Sequence, residues 1–414
     1  MIRSCLASIP VYLLSFFKFP KWALELINSQ MSQCLWNDSK EKKRVHLANW
    51  DLVCMPKEFG GLGIPCLRDV NRCLLASWVK RYFGSGNRIW KNIVDSKYKT
   101  TNPNIFCSST VNVSRFWKGF MWAADAVRFG YKWNLGNGAQ VRFWEDTWFG
   151  VSPLCVQFWD LYCVCNETMV EVRKVWDGVN LKLTFRRNFS PALLQKWFEL
   201  EQIAGSIRLS DDCDSIIWVY DSKGVYSTSS IYKIFSFRSV TQVYTPAVWS
   251  LVIPPRVQIF LWLLSNNKLM TRDNLLKRKM HKPTDCVFCK ELEPIDHLFF
   301  ECIIAKEIWY YVSIFFGFNI GSNFLSLATF WISNKKHAST NAICAAVLWG
   351  IWKFRNALIF DNQTWLCMKQ VWWQILKSIK KWRLIFKPHM LERIDSFEQL
   401  IQGKLREIPA LPWG

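Results

Sequence analysis

Apolar side chains recur at helical spacing along much of the chain, and Lys and Arg are interleaved among them. This pattern predicts amphipathic helices that pack their apolar stripes into a core. The stripes are clearest over residues 9–35, 257–264, 342–360 and 371–386. A further helix is expected after Thr271, Arg272 and Asp273, which can cap it, and its last turn carries Lys277, where the helix dipole favours a cation.

Two apolar stretches resemble membrane-directed segments, and the pattern argues against that function in both. The first 22 residues mimic a signal peptide, but Pro10 interrupts the apolar run and no cleavage site of small residues follows, so a buried helix is expected. Residues 308–334 are long enough to span a bilayer, yet their middle reads GFNIGSN. Glycine and asparagine there favour two short buried segments joined by a turn.

Strand patterns are short and flank glycine-bearing turns. Apolar and polar residues alternate on both sides of Gly136-Asn137-Gly138, which predicts one β-hairpin. Asp221 and Gly224 suit the first and last positions of a type I turn, which predicts a second hairpin within IIWVYDSKGVYSTSS. The glycines of KEFGGLGIP predict a tight bend. The expected fold is therefore mainly α with short β-hairpins, an α+β protein.

The charge balance points to polyanionic partners. The 414 residues include 53 Lys and Arg against 32 Asp and Glu, a net charge of +21. Such a surplus attracts nucleic acid, although the same charge would also keep an aromatic-rich chain in solution. The 15 cysteines are odd in number and follow no disulfide framework, so we expect an intracellular, reducing compartment, either nucleus or cytoplasm.

One motif, CVFCKELEPIDHLFFEC, has the spacing of a metal site. Cys286 and Cys289 are three positions apart on what should be a tight turn, and His297 and Cys302 form a second pair within the usual window. Four ligands leave no open position, which predicts one structural zinc ion rather than a catalytic one. The alternative without a metal is that the thiols are buried apolar groups. Residues 298–300 are expected to form the core of a short helix that carries the ligands.

Basic residues flank this motif. Lys277, Arg278, Lys279 and Lys282 precede it and Lys290 lies within it. The cluster is predicted to contact phosphates, with Phe288 or a neighbouring tryptophan stacking on bases, and the alternative is a solvated helix end.

No active-site pattern is evident. The adjacent carboxylates Asp211 and Asp212 follow polar residues instead of a strand, so a two-metal polymerase site is not expected there. The sequence has no nucleophile elbow and no glycine-rich phosphate loop. The chain is therefore expected not to be an enzyme.

Several blocks in this order resemble the C-terminal part of plant non-LTR (LINE-type) retrotransposon reverse transcriptases, over nearly the whole chain. They read IPVYLLSFFKFPKW, VHLANWDLVCMPKEFGGLGI, WNLGNGAQVRFWEDTWFG, WVYDSKGVYSTSSIY, WSLVIPPRVQIFLWLLSNNKLMTRDNLLKR, CVFCKELEPIDHLFFEC and VLWGIWKFRNALIF. The resemblance implies a small zinc-stabilised helical module that uses Cys286, Cys289, His297 and Cys302, and not a complete polymerase fold. It also implies that the aromatic-x-Asp-Asp polymerase motif would lie before Met1 and that a ribonuclease H domain would begin near ALPWG.

The resemblance divides the chain into four expected segments. Residues 1–65 resemble the end of the polymerase domain, 66–240 a connecting region with the two hairpins, 241–335 the zinc module, and 336–414 a helical tail. The expected function is that of a non-catalytic zinc-binding fragment that holds RNA or DNA with little sequence preference and has no membrane association.

Two other functions remain open at this point. The chain could act in trans as an accessory part of an RNA-directed DNA polymerase, which requires a complex with a reverse-transcriptase core. It could instead be a domesticated protein-interaction scaffold, on which tryptophan-rich surfaces dock partners.

Overall fold

The computed structural model describes residues 2–36, 45–84, 89–98, 106, 112–237, 243–280, 283–361 and 363–407. The chain divides into two compact units. Unit 1 comprises Met1–Gln33 and Pro65–Phe237, and unit 2 comprises Cys34–Ile64 and Arg238–Gly414. Unit 2 contains both of the last two predicted segments, 241–335 and 336–414. The four-segment division itself stays a prediction.

The prediction of a mainly helical fold is confirmed. The α-helices begin, in chain order, with α1 (Val11–Leu14), α2 (Lys21–Trp36), α3 (Trp50–Cys54), α4 (Leu67–Phe83), α5 (Ile89–Tyr98), α6 (Arg115–Val127), α7 (Leu154–Gln157), α8 (Trp159–Val164), α9 (Val172–Val175) and α10 (Pro191–Gly205). They continue with α11 (Thr228–Ser236), α12 (Tyr244–Ala247), α13 (Pro255–Ser265), α14 (Arg272–Lys277), α15 (Ile303–Phe316), α16 (Phe324–Ile332), α17 (Asn334–Phe360), α18 (Lys369–Trp382) and α19 (Pro388–Glu407). The strands of the described residues are β1 (Tyr131–Asn134) and β2 (Ser215–Trp218), in one small sheet.

Unit 1 is built around helix α4, which packs against α1, α6 and α11. Asn71 on α4 is buried and holds the segment around residues 14–19 against this core. Its side-chain amide donates to the carbonyl oxygens of Leu14 and Phe17 at 2.6 and 2.8 Å, and its carbonyl accepts from the backbone N–H of Phe19 at 3.0 Å. A buried amide with all of these partners satisfied favours one arrangement of the segments that it joins.

The first predicted hairpin is wrong. Strand β1 pairs antiparallel with β2, far along the chain, with Tyr131 opposite Trp218 and Asn134 opposite Ser215. The reason is a buried carboxylate: Asp214 accepts the backbone N–H groups of Gly136, Gly138 and Gln140 at 2.8, 2.8 and 2.9 Å. The glycine-bearing loop therefore wraps the start of β2 instead of turning back on β1.

The second predicted hairpin is also wrong, although its turn is confirmed. The N–H of Gly224 donates to the carbonyl of Asp221 at 2.9 Å, and Gly224 has φ of +67°, where glycine is favoured. The Trp218 N–H donates to the Gly224 carbonyl at 2.9 Å, but Val225 and Tyr226 form no strand. Helix α11 begins at Thr228 instead, because the Ser227 side chain accepts the Ser230 N–H at 3.1 Å and caps it.

The expectation of a buried helix at the N-terminus is wrong. A single π-turn covers Ile2–Leu6, Pro10 follows, and α1 lasts only four residues. Proline lacks the N–H that a continuing helix needs, so the apolar run breaks into short pieces. Several of its large side chains remain exposed, among them Ile9 at 75% and Tyr12 at 73%.

Unit 2 is organised around α17, which is buried along most of its length and packs against α13, α16, α18 and α19. Helix α18 approaches it closely at Gly350, where an added Cβ would lie 2.4 Å from Cγ1 of Ile375. By length and composition α17 is also the one helix of the described residues that passes as a candidate membrane span, and more than half of its apolar window is buried in the protein. Core helices pass the same test, so this is weak support for a membrane span.

The turn within residues 308–334 is confirmed. Helix α15 ends at Phe316, and Gly317, the residue after it, has φ of +76°. Helix α16 begins with a capping box in which the Asn323 side chain accepts the Ser326 N–H at 2.8 Å. Gly321 is required because an added Cβ would lie 2.1 Å from the Trp309 ring. The tight bend at KEFGGLGIP is confirmed as well, with positive φ at Gly60 and Gly63.

Candidate metal centre

A tight turn brings the first two cysteines together. The N–H of Lys290 donates to the carbonyl of Cys286 at 3.1 Å, and Lys290 has φ of +64°. The backbone N–H of Cys286 donates to the Glu291 carbonyl, and Asp285 and Leu292 form an antiparallel bridge behind it. This compact loop places both thiols on one side, as the Cys-x2-Cys spacing predicts.

The second pair comes from a single π-turn, His297–Glu301, that leads into α15. Its closing hydrogen bond runs from the Cys302 N–H to the His297 carbonyl at 2.7 Å, and Cys302 is the residue before the first turn of α15. The side chains of residues 298–300 are buried, which confirms that they form the core of this short helix.

The four predicted ligands converge. The sulfur atoms of Cys286, Cys289 and Cys302 and a ring nitrogen of His297 all lie within 4.8 Å of one another. Cys302 Sγ is 4.0 Å from Cys286 Sγ and 3.8 Å from Cys289 Sγ, while Cys289 Sγ is 3.1 Å from His297 Nε2. A tetrahedron with zinc–sulfur bonds of ~2.3 Å has sulfur–sulfur edges of about 3.8 Å. The donor set and its spacing therefore fit zinc.

A carboxylate orients the histidine. Glu291 Oε2 lies 3.3 Å from His297 Nδ1, on the side of the ring away from the thiols. A ligating histidine needs its other nitrogen protonated, and a carboxylate there fixes the ring and its tautomer. The Glu291 side chain is 74% exposed, so it supports the ring from the surface.

Two of the ligand thiols have a raised pKa. The Cys302 thiol beside it and burial both raise the pKa of Cys286 well above its ordinary value, and burial raises the pKa of Cys289. Zinc binds thiolates, so its binding here releases protons and adds its free energy to folding.

A buried ion pair connects the ligand loop to helix α17. Glu293 and Arg355 are fully buried, and the Arg355 guanidinium donates to both carboxylate oxygens. Glu293 Oε1 also accepts the backbone N–H of Arg272 at 3.1 Å, at the start of α14. Thr271 is the residue before this helix as expected, but its side chain makes no cap hydrogen bond with the backbone. One carboxylate thus joins the ligand loop, α14 and α17.

The sequence did not single out Glu291, Glu293 or Arg355. The two glutamates lie in a short polar run of the kind that usually faces water. Arg355 was the detectable signal, because it follows a long apolar run in α17 and a buried guanidinium requires an acidic partner.

The predicted nucleic-acid contacts fall into different environments. Lys277 and Lys279 are exposed, and Lys277 Nζ lies 3.0 Å from Asp273 Oδ2. The Arg278 guanidinium donates to the carbonyls of His46 and Leu47 at 2.9 and 2.8 Å, which gives it a structural role. Lys282 lies outside the described residues. Nucleic-acid binding by these residues stays a prediction.

The proposed stacking residue of the motif is engaged in packing. The Phe288 ring lies 6.4 Å from the Phe354 ring and 5.3 Å from the Trp365 ring, centroid to centroid. The ligand loop therefore packs onto α17 through an aromatic cluster as well as through the ion pair.

Comparison with known proteins agrees with this geometry. Residues 226–309 match the family model for zinc-binding in reverse transcriptase. This zinc-binding segment includes all four converging ligands. The chain is also 25% identical to an Arabidopsis thaliana protein that carries the name of a ribonuclease H protein, over 94% of this chain and 64% of that relative. The chain thus spans less than two thirds of that relative's length.

A second relative matches a shorter region. It is an uncharacterised mitochondrial protein of Arabidopsis thaliana, 25% identical over 34% of this chain and 92% of its own length. Of these matches, the one over the zinc-binding segment is the match that names reverse transcriptase.

Proposed function

We propose that the chain is a non-catalytic, zinc-binding part of a LINE-type retrotransposon reverse transcriptase, and that it binds RNA or DNA with little sequence preference. The observation that carries the proposal is the convergence of Cys286, Cys289, His297 and Cys302 into a set that fits one tetrahedral zinc. A complete set of four protein ligands leaves no position for a substrate, so the ion is structural.

The sequence resemblance and the comparisons support the family origin. The match to zinc-binding in reverse transcriptase covers the ligands, and the blocks that resemble plant LINE-type elements extend over nearly the whole chain. The ribonuclease H name of the longer relative belongs to that protein. We do not propose ribonuclease H activity for this chain.

The placement of the paired carboxylates supports a non-catalytic role. Asp211 and Asp212 are both exposed and lie on a bend before β2, outside any hydrophobic hairpin of the kind that a two-metal polymerase site requires. The neighbouring Asp214 is committed to the backbone N–H groups of the 136–140 loop.

The electrostatics support nucleic acid as the partner. The net charge of +21 favours polyanions over the whole surface, and the exposed Lys277 and Lys279 lie next to the zinc-binding loop in sequence. A zinc-stabilised loop holds the backbone next to these lysines in one conformation, so less conformational entropy is lost when they contact phosphates.

The proposal is tested by titrating labelled single-stranded RNA and DNA with the zinc-loaded full-length chain at several salt concentrations. We expect the logarithm of the binding constant to fall linearly with the logarithm of the salt concentration. The variant Lys277→Gln/Lys279→Gln should reduce that slope by about 1.4, since each single-strand phosphate contact contributes about 0.7. The matched control Lys335→Gln/Lys336→Gln removes the same charge from exposed positions at the start of α17. A flat salt response would contradict the proposal, and equal losses in both variants would contradict the role of Lys277 and Lys279 in binding.

A further inference from the structure

A basic groove lies between α18 and α19, far along the chain from the zinc ligands. Its volume is about 790 Å³, and its cationic lining residues are Lys369, Lys377, Lys380, Lys381 and Arg406. None of its lining residues is acidic. Five cations around one open groove form a concentrated positive field, which attracts anionic ligands.

The acidic residues of α19 are Glu392, Asp395, Glu398 and Glu407, and none of them lines the groove. Asp395 is held by the Arg383 guanidinium at 2.6 and 2.9 Å, and Glu407 by Lys404 at 2.7 Å. Glu398 lies near Lys380 and Arg383 but is 8% exposed and does not line the groove. The lysines that face the groove are therefore available to an external anion.

An exposed tryptophan lies within the row of cations. Lys369, Trp373 and Lys377 follow one another at four-residue spacing on α18, so they share one face of the helix, and Lys380 and Lys381 extend it by another turn. Trp373 is 61% exposed, whereas its neighbour Trp372 is 1% exposed in the core. The exposed indole is not required for packing. Its position between Lys369 and Lys377 suits a ligand whose flat ring stacks on the indole while negatively charged groups on both sides of the ring contact the two lysines.

We propose that this groove is a binding site for single-stranded nucleic acid, in which the lysines and Arg406 contact phosphates and the Trp373 indole stacks on a base. Unpaired bases offer a π-face to an aromatic side chain, and base pairing in a duplex removes it, so a single strand fits the site better than a duplex. The site deepens the proposed function and rests on it, but it uses a surface different from the lysines next to the zinc-binding loop.

An anionic membrane is the main competing ligand for a basic helix, and the burial pattern disfavours it. The apolar face of α18, including Val371, Ile375 and Ile379, is already buried in unit 2. A basic amphipathic helix that lies on a bilayer needs that face free to enter the acyl region. The exposed face of α18 offers one aromatic ring among lysines, which is a stacking platform rather than a membrane anchor.

The test uses fluorescence anisotropy of labelled oligouridylate and oligothymidylate of about 12 nucleotides, a length within the usual range of single-strand sites. The zinc-loaded full-length chain is compared with Lys377→Gln/Lys380→Gln/Lys381→Gln. We expect this groove variant to bind at least about tenfold more weakly and to lower the salt slope by about 2, since each single-strand phosphate contact contributes about 0.7. The matched control Lys335→Gln/Lys336→Gln/Lys353→Gln removes equal charge from exposed positions outside the groove and should change affinity less than about threefold.

A second variant tests the stacking. Trp373→Leu removes no charge and should weaken binding about tenfold without changing the salt slope. All of these positions are exposed or at the surface of α18, and an unchanged circular dichroism spectrum and zinc content establish that the fold is kept. Binding of either RNA or DNA with these losses supports the site. A difference between oligouridylate and oligodeoxyuridylate, which have the same base, reports contact with the 2′-hydroxyl.

Three results would overturn the inference. The first is an equal loss of affinity in the groove variant and the control variant. The second is unchanged binding by Trp373→Leu. The third is binding of phosphatidylserine vesicles through these lysines without binding of any oligonucleotide. A loss confined to Lys277→Gln/Lys279→Gln would overturn the groove site while the proposed function stands. A loss confined to the groove variants would leave the groove site and remove the role of the two lysines next to the zinc-binding loop.

Discussion

At the scale of single residues, a few buried charged groups explain why the zinc-binding loop has its shape. Glu293 accepts hydrogen bonds from Arg355 on α17 and from the N–H of Arg272 on α14, and Glu291 supports the ring of His297. The four ligands follow from spacing alone, because a Cys-x2-Cys turn and a His-x4-Cys pair suit one tetrahedral ion. The supporting carboxylates do not, since a glutamate in a polar run has the same local signature whether it is solvated or buried.

The buried pair gives a prediction on stability. Arg355→Met leaves the Glu293 carboxylate buried without its guanidinium, and removing one partner of such a pair lowers the free energy of unfolding by about 3–5 kcal/mol. Urea unfolding of the zinc-loaded chain measures this. The double variant Glu293→Leu/Arg355→Met should lose less than the sum of the two single variants, because no charge is then left uncompensated.

The control for this prediction lies on the same helix. Lys353 is exposed, and Lys353→Met should change the free energy of unfolding by no more than about 0.5 kcal/mol. Equal effects of Lys353→Met and Arg355→Met would show that the ion pair does not contribute to the fold as described.

At the scale of elements, the sequence predicts helices well and strand pairing badly, for physical reasons. The apolar patterns over residues 342–360 and 371–386 correspond to helices α17 and α18. Helix α18 buries one face, as its periodicity predicts, whereas α17 is buried on all sides between Asn341 and Leu348. Local turn signals at GNG and at Asp221 were read correctly as bends, but strand partners depend on contacts distant in sequence. Here Asp214, a single buried carboxylate, decides that β1 pairs with β2.

The role of Asp214 gives the prediction at this scale. Asp214→Ala leaves three backbone N–H groups of the 136–140 loop without their acceptor, and we expect it to lower the free energy of unfolding by about 2–3 kcal/mol. The matched control is Asp212→Ala, two residues away and exposed, with an expected effect within about 0.5 kcal/mol. If the two variants unfold at the same urea concentration, the loop is not held by this carboxylate.

At the scale of the whole molecule, the zinc-binding segment is part of a larger unit. It shares buried contacts with α17 through Arg355 and through the rings of Phe288 and Phe354, so the structural elements that support the ion extend well past residue 335. The sequence motif locates the ion but not this support, because the partners lie about 60 residues further along the chain. Residues 336–414 were expected only to follow the zinc module, but α17, which belongs to them, packs against the zinc-binding loop and supports it.

The central claim is that Cys286, Cys289, His297 and Cys302 hold one structural zinc in the folded chain. The most direct test is the metal content of the purified full-length chain by mass spectrometry, beside Cys302→Ser and the control Cys213→Ser, whose side chain is exposed outside the cluster. The account predicts one zinc per chain, retained in Cys213→Ser and lost in Cys302→Ser together with stability of unit 2. No zinc in the unmodified chain, or equal zinc in both variants, would contradict it.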